Sequence, residues 1–220
     1  MMQVKVCGIT SQPDAEMAAQ CGASVLGFIF YQPSPRYIQP DEAGKIIEAL
    51  PEAIISVGVF VNEKLETVKK ISDDLALDMI QLHGDESPDY CRQFPAARVI
   101  KALHLQNRRD VEEALSYDAA AILADSRRRN LYGGTGEISD WELARNVREK
   151  KPLILSGGLR PENIRDALHA VAPDALDINS GVESAPGKKD HEKLRRVFDV
   201  IRACHDELQS CRKIFSKRTI

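Results

Sequence analysis

The chain lacks a charge excess. Its 30 basic and 33 acidic residues leave a formal net charge of −3, with no block of one sign. That balance gives no electrostatic footprint for nucleic acid or for an anionic membrane surface. No stretch approaches the ~18 consecutive apolar residues that cross a bilayer, and residues 1–10 lack the apolar core of a secretory signal. Cysteine pairs are missing as well: the five cysteines at 7, 21, 91, 204 and 211 are odd in number, scattered, and form no CxxC. A disulfide framework or zinc ribbon is therefore not expected, and a reducing, cytoplasmic setting is. Glycine and proline are too few, at 13 and 11, for a low-complexity architecture.

What the sequence does contain is alternation. Short apolar runs at 4–7, 25–30, 54–61, 79–82, 99–103, 119–124, 153–155 and 175–178, several rich in Val and Ile, read as strands buried on both faces of a parallel sheet. Between them lie helix-period segments. Ala43, Ile46, Ile47 and Leu50 fall at i, i+3, i+4, i+7, as do Ile164, Ala167, Leu168 and Val171, and Leu194, Val197, Phe198 and Ile201. Gly22 is placed to end the first helix, Pro161 suits a helix first turn, and Asp140 suits the cap of a helix beginning at Trp141. Eight strand–helix units of about 27 residues, undivided by any linker, predict an α/β fold: a single-domain (β/α)8 TIM barrel over residues 1–206. An open doubly wound sheet is the competing arrangement. Residues 207–220, with Cys211 and four basic side chains, are expected to extend the last helix or fray.

A barrel concentrates chemistry where strands end. The first strand ends in Cys7-Gly8, the fourth in Gln81-Leu82-His83-Gly84, the sixth in Asp125-Ser126, the seventh in Ser156-Gly157-Gly158 and the eighth in Asp177-Ile178-Asn179-Ser180-Gly181. Gly157-Gly158 and Ser180-Gly181 follow strands seven and eight, a recurrent phosphate position in barrels. Gly133-Gly134-Thr135-Gly136 is placed to close over the same anion. Taken singly, a glycine pair reads better as a tight βα turn; the two loops together favour phosphate.

Cys7 shares its strand face with Lys5. At a strand end it reads either as a small buried hydrophobe, the default for Cys21, Cys91 and Cys204, or as a thiolate activated by nearby positive charge. Asp125 reads as a carboxyl facing Cys7 across the barrel mouth or as the cap of the next turn. Arg36, in the stiff loop Pro33-Ser34-Pro35-Arg36-Tyr37, is suited to bidentate carboxylate binding, or is an ordinary surface arginine. The run Arg127-Arg128-Arg129 reads as a solvated loop that adds attraction for anions, and His83 as a structural hydrogen-bonding residue or a secondary site group, without the proton-transfer role.

Together these segments resemble the phosphoribosylanthranilate isomerase family of tryptophan biosynthesis. The likeness runs from Lys5-Val6-Cys7-Gly8-Ile9-Thr10 through Ser34-Pro35-Arg36-Tyr37-Ile38, Gln81-Leu82-His83-Gly84-Asp85-Glu86 and Asp125-Ser126. It continues through Ser156-Gly157-Gly158-Leu159 and Asp177-Ile178-Asn179-Ser180-Gly181-Val182-Glu183 to Lys188-Lys189-Asp190. Ala124 departs from it, standing where a larger apolar residue is usual.

The resemblance implies an Amadori rearrangement of N-(5′-phosphoribosyl)anthranilate to 1-(2-carboxyphenylamino)-1-deoxyribulose 5-phosphate, with no cofactor and no metal. It implies Cys7 as general base, Asp125 as general acid, and Arg36 on the anthranilate carboxylate. Gly134, Gly157, Gly158, Ser180 and Gly181 would hold phosphate, and Asp177 would line the site. A small phosphorylated substrate and a monomer or homodimer are the expected partners. The competing functions are a histidine-pathway sugar-phosphate isomerase, which pairs two carboxylates where this chain has Cys7, a non-catalytic phosphate-binding barrel, and a thiol hydrolase using Cys7 with His83.

Overall fold

The structure, a computed structural model, describes residues 2–125, 138–204 and 211–218. Eight parallel strands close into a barrel in sequence order: β1 (Gln3–Cys7), β2 (Val25–Ile29), β3 (Ile55–Phe60), β4 (Met79–Leu82), β5 (Val99–Leu103), β6 (Ala121–Asp125), β7 (Leu153–Ser156) and β8 (Ala175–Ile178). The helices are α1 (Gln12–Cys21), α2 (Pro40–Glu48), α3 (Leu65–Asp74), α4 (Pro88–Cys91), α5 (Arg108–Ser116), α6 (Ile138–Arg148), α7 (Ile164–Val171) and α8 (His191–Ala203). A hairpin of β9 (Glu183–Ala185) and β10 (Lys188–Lys189) is inserted between β8 and α8. The expected (β/α)8 barrel is thus the observed fold, and the open sheet is excluded by the β1–β8 pairing.

Local chemistry explains the segmentation. The strands are Val/Ile/Leu runs whose residues are nearly all buried, because helices cover one side and opposite strands the other. The Ser11 side chain accepts from the Asp14 N–H at the start of α1, and Gly22, at φ +112°, takes the left-handed residue that ends it. Two helix starts differ from the sequence reading. α6 begins at Ile138, three residues ahead of Trp141. Pro161 lies in the turn before α7, where the Asn163 side chain accepts from the Arg160 N–H and donates to the Gly158 carbonyl.

One apolar cluster packs helices onto the strands. A second fills the barrel interior with alternate strand residues, among them Val25, Val57, Met79, Ile100, Leu123 and Ile154. Ile214 and Phe215 belong to this second cluster. In place of a frayed end or a longer last helix, α8 stops at Ala203 and residues 211–218 run non-helically beneath the strand N-termini. Gln3 fastens them: its Oε1 accepts from the N–H groups of Ile214 and Phe215 at 2.8 and 2.9 Å, and its Nε2 donates to the Phe215 carbonyl. Arg212 reaches Asp174, and the Arg218 N–H and the Lys217 ammonium reach Asp78. The apolar floor of the barrel is therefore covered by the chain's own end.

Candidate active site

With the floor sealed, the strand C-termini form the open face. Period-two alternation turns Lys5, Cys7, Gln81, Asp125, Ser156 and Asp177 inward. One cavity is lined by Cys7, Asp125, Gly157, Gly158, Asp177 and Ser180, with Gln81, His83 and Asn179. Seven of the residues expected to carry the chemistry are thereby gathered or adjoined, since Gly181 follows Ser180. Gly134 lies outside the described residues, as do Arg127, Arg128 and Arg129. A wider cleft of about 570 Å³ shares His83 and continues past Asn62 and His104.

Cys7 is 3% exposed. Lys5, fully buried, donates to Asp177 Oδ1 at 2.9 Å, and its ammonium also favours the Cys7 thiolate. Burial pushes the Cys7 thiol above its ordinary value; the Lys5 and Lys189 ammoniums pull it back without cancelling the rise, and Asp177 adds to it. Burial also disfavours the Lys5 ammonium, but Asp177 and Cys7 reverse the effect and hold it more firmly protonated than a free lysine. On the other side, Asp125 Oδ2 stands 3.5 Å from His83 Nε2, and His83 Nδ1 is 2.8 Å from Gln81 Nε2. If the Gln81 amide donates here, the His83 proton sits on Nε2 and faces Asp125.

The loops after β7 and β8 meet closely. Gly157 and Gly158 have φ of +93° and +63°, a left-handed pair that turns successive N–H groups toward one side and so suits an anion. Gly181 is needed for a different reason: a Cβ there would lie 1.9 Å from the Leu159 carbonyl oxygen. Packing against Leu159 is by itself enough to require a glycine there.

Two side chains whose roles sequence reasoning missed organise the rest. Glu183, on β9, accepts from Arg36 Nε at 2.9 Å and from Nη2 at 2.6 Å, so the arginine side edge expected to hold a substrate carboxylate is already engaged. Lys189, on β10 and 3% exposed, donates to the Cys7 carbonyl at 2.6 Å, to Asn179 Oδ1 and to Glu183 Oε1. Burial works against the Glu183 carboxylate, yet Arg36 and Lys189 hold it below the ordinary range. Burial lowers the Lys189 ammonium despite Glu183. Both residues stand in the motifs quoted above; their wide separation from Cys7 gave no signal of the contact. Among the described residues, no group of three His, Cys, Asp or Glu side chains is arranged to hold a metal.

The model of the N-(5′-phosphoribosyl)anthranilate isomerase family matches residues 4–200. The chain belongs to that family. An N-(5′-phosphoribosyl)anthranilate isomerase of Syntrophus aciditrophicus is 54% identical over 202 residues, 92% of this chain and 88% of the relative. The phosphoribosyl anthranilate isomerase structure from Thermotoga maritima superposes with a TM-score of 0.86 at 43% identity, covering 92% of this chain and all of that one. A further isomerase structure, in complex with reduced 1-(o-carboxyphenylamino)-1-deoxyribulose 5-phosphate, matches with a TM-score of 0.82 at 41% identity and the same coverage. The isomerase family match ends before residues 211–218, which form the floor plug.

Proposed function

We propose that this isomerase family member rearranges N-(5′-phosphoribosyl)anthranilate to 1-(2-carboxyphenylamino)-1-deoxyribulose 5-phosphate, with Cys7 as base and Asp125 as acid. The observation that carries the reading is the shared cavity: a thiol and a carboxyl line one space that also contains the left-handed Gly157-Gly158 turn. Phosphate seated against Gly157, Gly158 and Ser180 anchors one end of the substrate. Arg36 anchors the other, offering its Nη1 side to the anthranilate carboxylate while Glu183 holds the Nε edge.

Asp125 gives its proton to the furanose ring oxygen as the C1′–O bond breaks, leaving a protonated Schiff base. That cation acidifies the C2′ proton. The Cys7 thiolate removes it, forming an enolamine that tautomerises to the ketone. The charge developing on the substrate in the first half is cancelled in the second, so no net proton is consumed. Lys189 fixes the Cys7 carbonyl and hence the aim of the base.

The chain takes a small phosphorylated substrate and acts as a monomer or homodimer; a Thermotoga maritima relative is described as dimeric. No described helix is long and apolar enough to cross a membrane, and a cytoplasmic setting suits a biosynthetic isomerase. Purified protein is expected to consume N-(5′-phosphoribosyl)anthranilate, followed by loss of its fluorescence, with no metal or nucleotide added. Absence of turnover would remove the assignment.

A further inference from the structure

The barrel interior holds a buried ion pair among its inward-facing side chains. Lys5 stands directly beside Val25 of β2 and Asp177 of β8 in the strand register, and both Lys5 and Asp177 are buried. A buried ion pair is commonly no more stabilising than apolar side chains of the same volume, so the fold alone gives little reason for it here. The pair is also aimed. Gly27, the register partner of Cys7, leaves the space in which the lysine and the thiol meet: a Cβ on Gly27 would lie 2.9 Å from Cys7 Sγ, 2.9 Å from Lys5 Cε and 3.1 Å from Lys5 Nζ. Any larger residue at position 27 would drive the ammonium and the sulfur apart.

We propose that Lys5 and Asp177 are positioning residues that set the proton affinity of Cys7 as opposed charges, Lys5 favouring the thiolate and Asp177 restraining it. The inference rests on Cys7 being the base. The Lys5 ammonium bonds Asp177 and shares the space beside Gly27 with the sulfur, so loss of Asp177 leaves that ammonium to Cys7 alone, and loss of Lys5 leaves a carboxylate facing it. The other charged groups around the thiol come from separate elements. Lys189 on β10 lies behind its carbonyl, with Glu183 and Arg36 beyond; His83 after β4 and Asp125 on β6 face it across the cavity. None of these changes in the two variants, so the direction of each shift is assignable to the pair.

The test follows the 13Cβ chemical shift of Cys7 against pH in full-length protein labelled at cysteine, with Cys7→Ser identifying the signal. Asp177→Asn is expected to lower the Cys7 inflection, and Lys5→Met to raise it, each by about one to three pH units, the effect of one close charge. Lys5→Arg, which keeps the charge, should stay nearer the wild type than Lys5→Met does. In Lys5→Met the loss should fall on kcat more than on KM. Lys5→Met leaves Asp177 uncompensated in the barrel, so the double variant Lys5→Met/Asp177→Asn is titrated beside it, with an inflection above wild type expected. Unmoved inflections, shifts of the same sign in the two single variants, or a double variant at the wild-type value would overturn the proposal. Full turnover by Cys7→Ser would instead remove the base assignment while leaving the titration result standing.

Discussion

Arg36 and Glu183 meet edge to edge, with Nε and Nη2 donating to the two carboxylate oxygens at 2.9 and 2.6 Å although 147 residues separate them. Lys189 and the Gly187 N–H fix the carboxylate from behind. The guanidinium is therefore held in one orientation before substrate arrives. Glu183→Gln is expected to raise KM by about 10-fold, and Arg36→Met by about 10- to 100-fold, the range for one or two charge-assisted bonds, with smaller effects on kcat. Steady-state kinetics check both; an unchanged KM in Arg36→Met would remove its carboxylate-binding role.

Glu183 also makes stability depend on acid. Its folded-state pKa is depressed below the ordinary 4.5, so the contribution is present above that value and is lost as pH falls through the depressed one. Urea midpoints should fall more steeply below about pH 4.5 in the wild type than in Glu183→Gln. Parallel curves for the two proteins would contradict this.

Reactivity of the thiol should depend on base. Burial raises the Cys7 thiol above its ordinary 9.0, so the free protein holds mainly the thiol near neutrality and the reactive thiolate grows with pH. The rate at which a small haloacetamide alkylates Cys7, read on the Cys7 peptide by mass spectrometry, is expected to climb through pH 8 and keep rising into the alkaline range. A plateau reached below about pH 7 would show a thiolate already formed, contrary to the burial seen here.

The floor segment can be tested at its buried aromatic. Phe215 is fully buried in the barrel-floor cluster. Phe215→Ala is expected to cost about 3–5 kcal/mol, and hence to lower Tm by roughly 6–20 °C, with kcat unchanged because the floor lies at the opposite end of the barrel from Cys7. Thermal unfolding and turnover on the same preparation decide it. A Tm within about 2 °C of wild type would deny the plug its role.

Much of this was legible in the sequence, for a physical reason. Barrel strands are buried on both faces, so Val25, Val57 or Ile154 stand in short apolar runs that show their limits directly. Chemistry is confined to strand ends, which singles out Cys7, Asp125 and Asp177 without any contact map. What stayed hidden depends on chain return. Lys189 touches the carbonyl of Cys7 across 182 residues, and no local pattern records such a meeting. Ile214 and Phe215 are two apolar residues among basic ones, a pattern that reads as a solvated end until the open barrel floor above them is seen. Gly181 was legible as a required glycine, but the reason, the Leu159 carbonyl beneath it, belongs to packing between two loops.

The central claim is that Cys7 and Asp125 divide the proton transfers. The most direct measurement is kcat for N-(5′-phosphoribosyl)anthranilate in Cys7→Ser and Asp125→Asn, each confirmed folded by its unfolding midpoint. Both are expected to lose roughly 10²-fold or more in kcat, with KM little changed. Turnover by either variant within about threefold of the wild type would contradict the assignment.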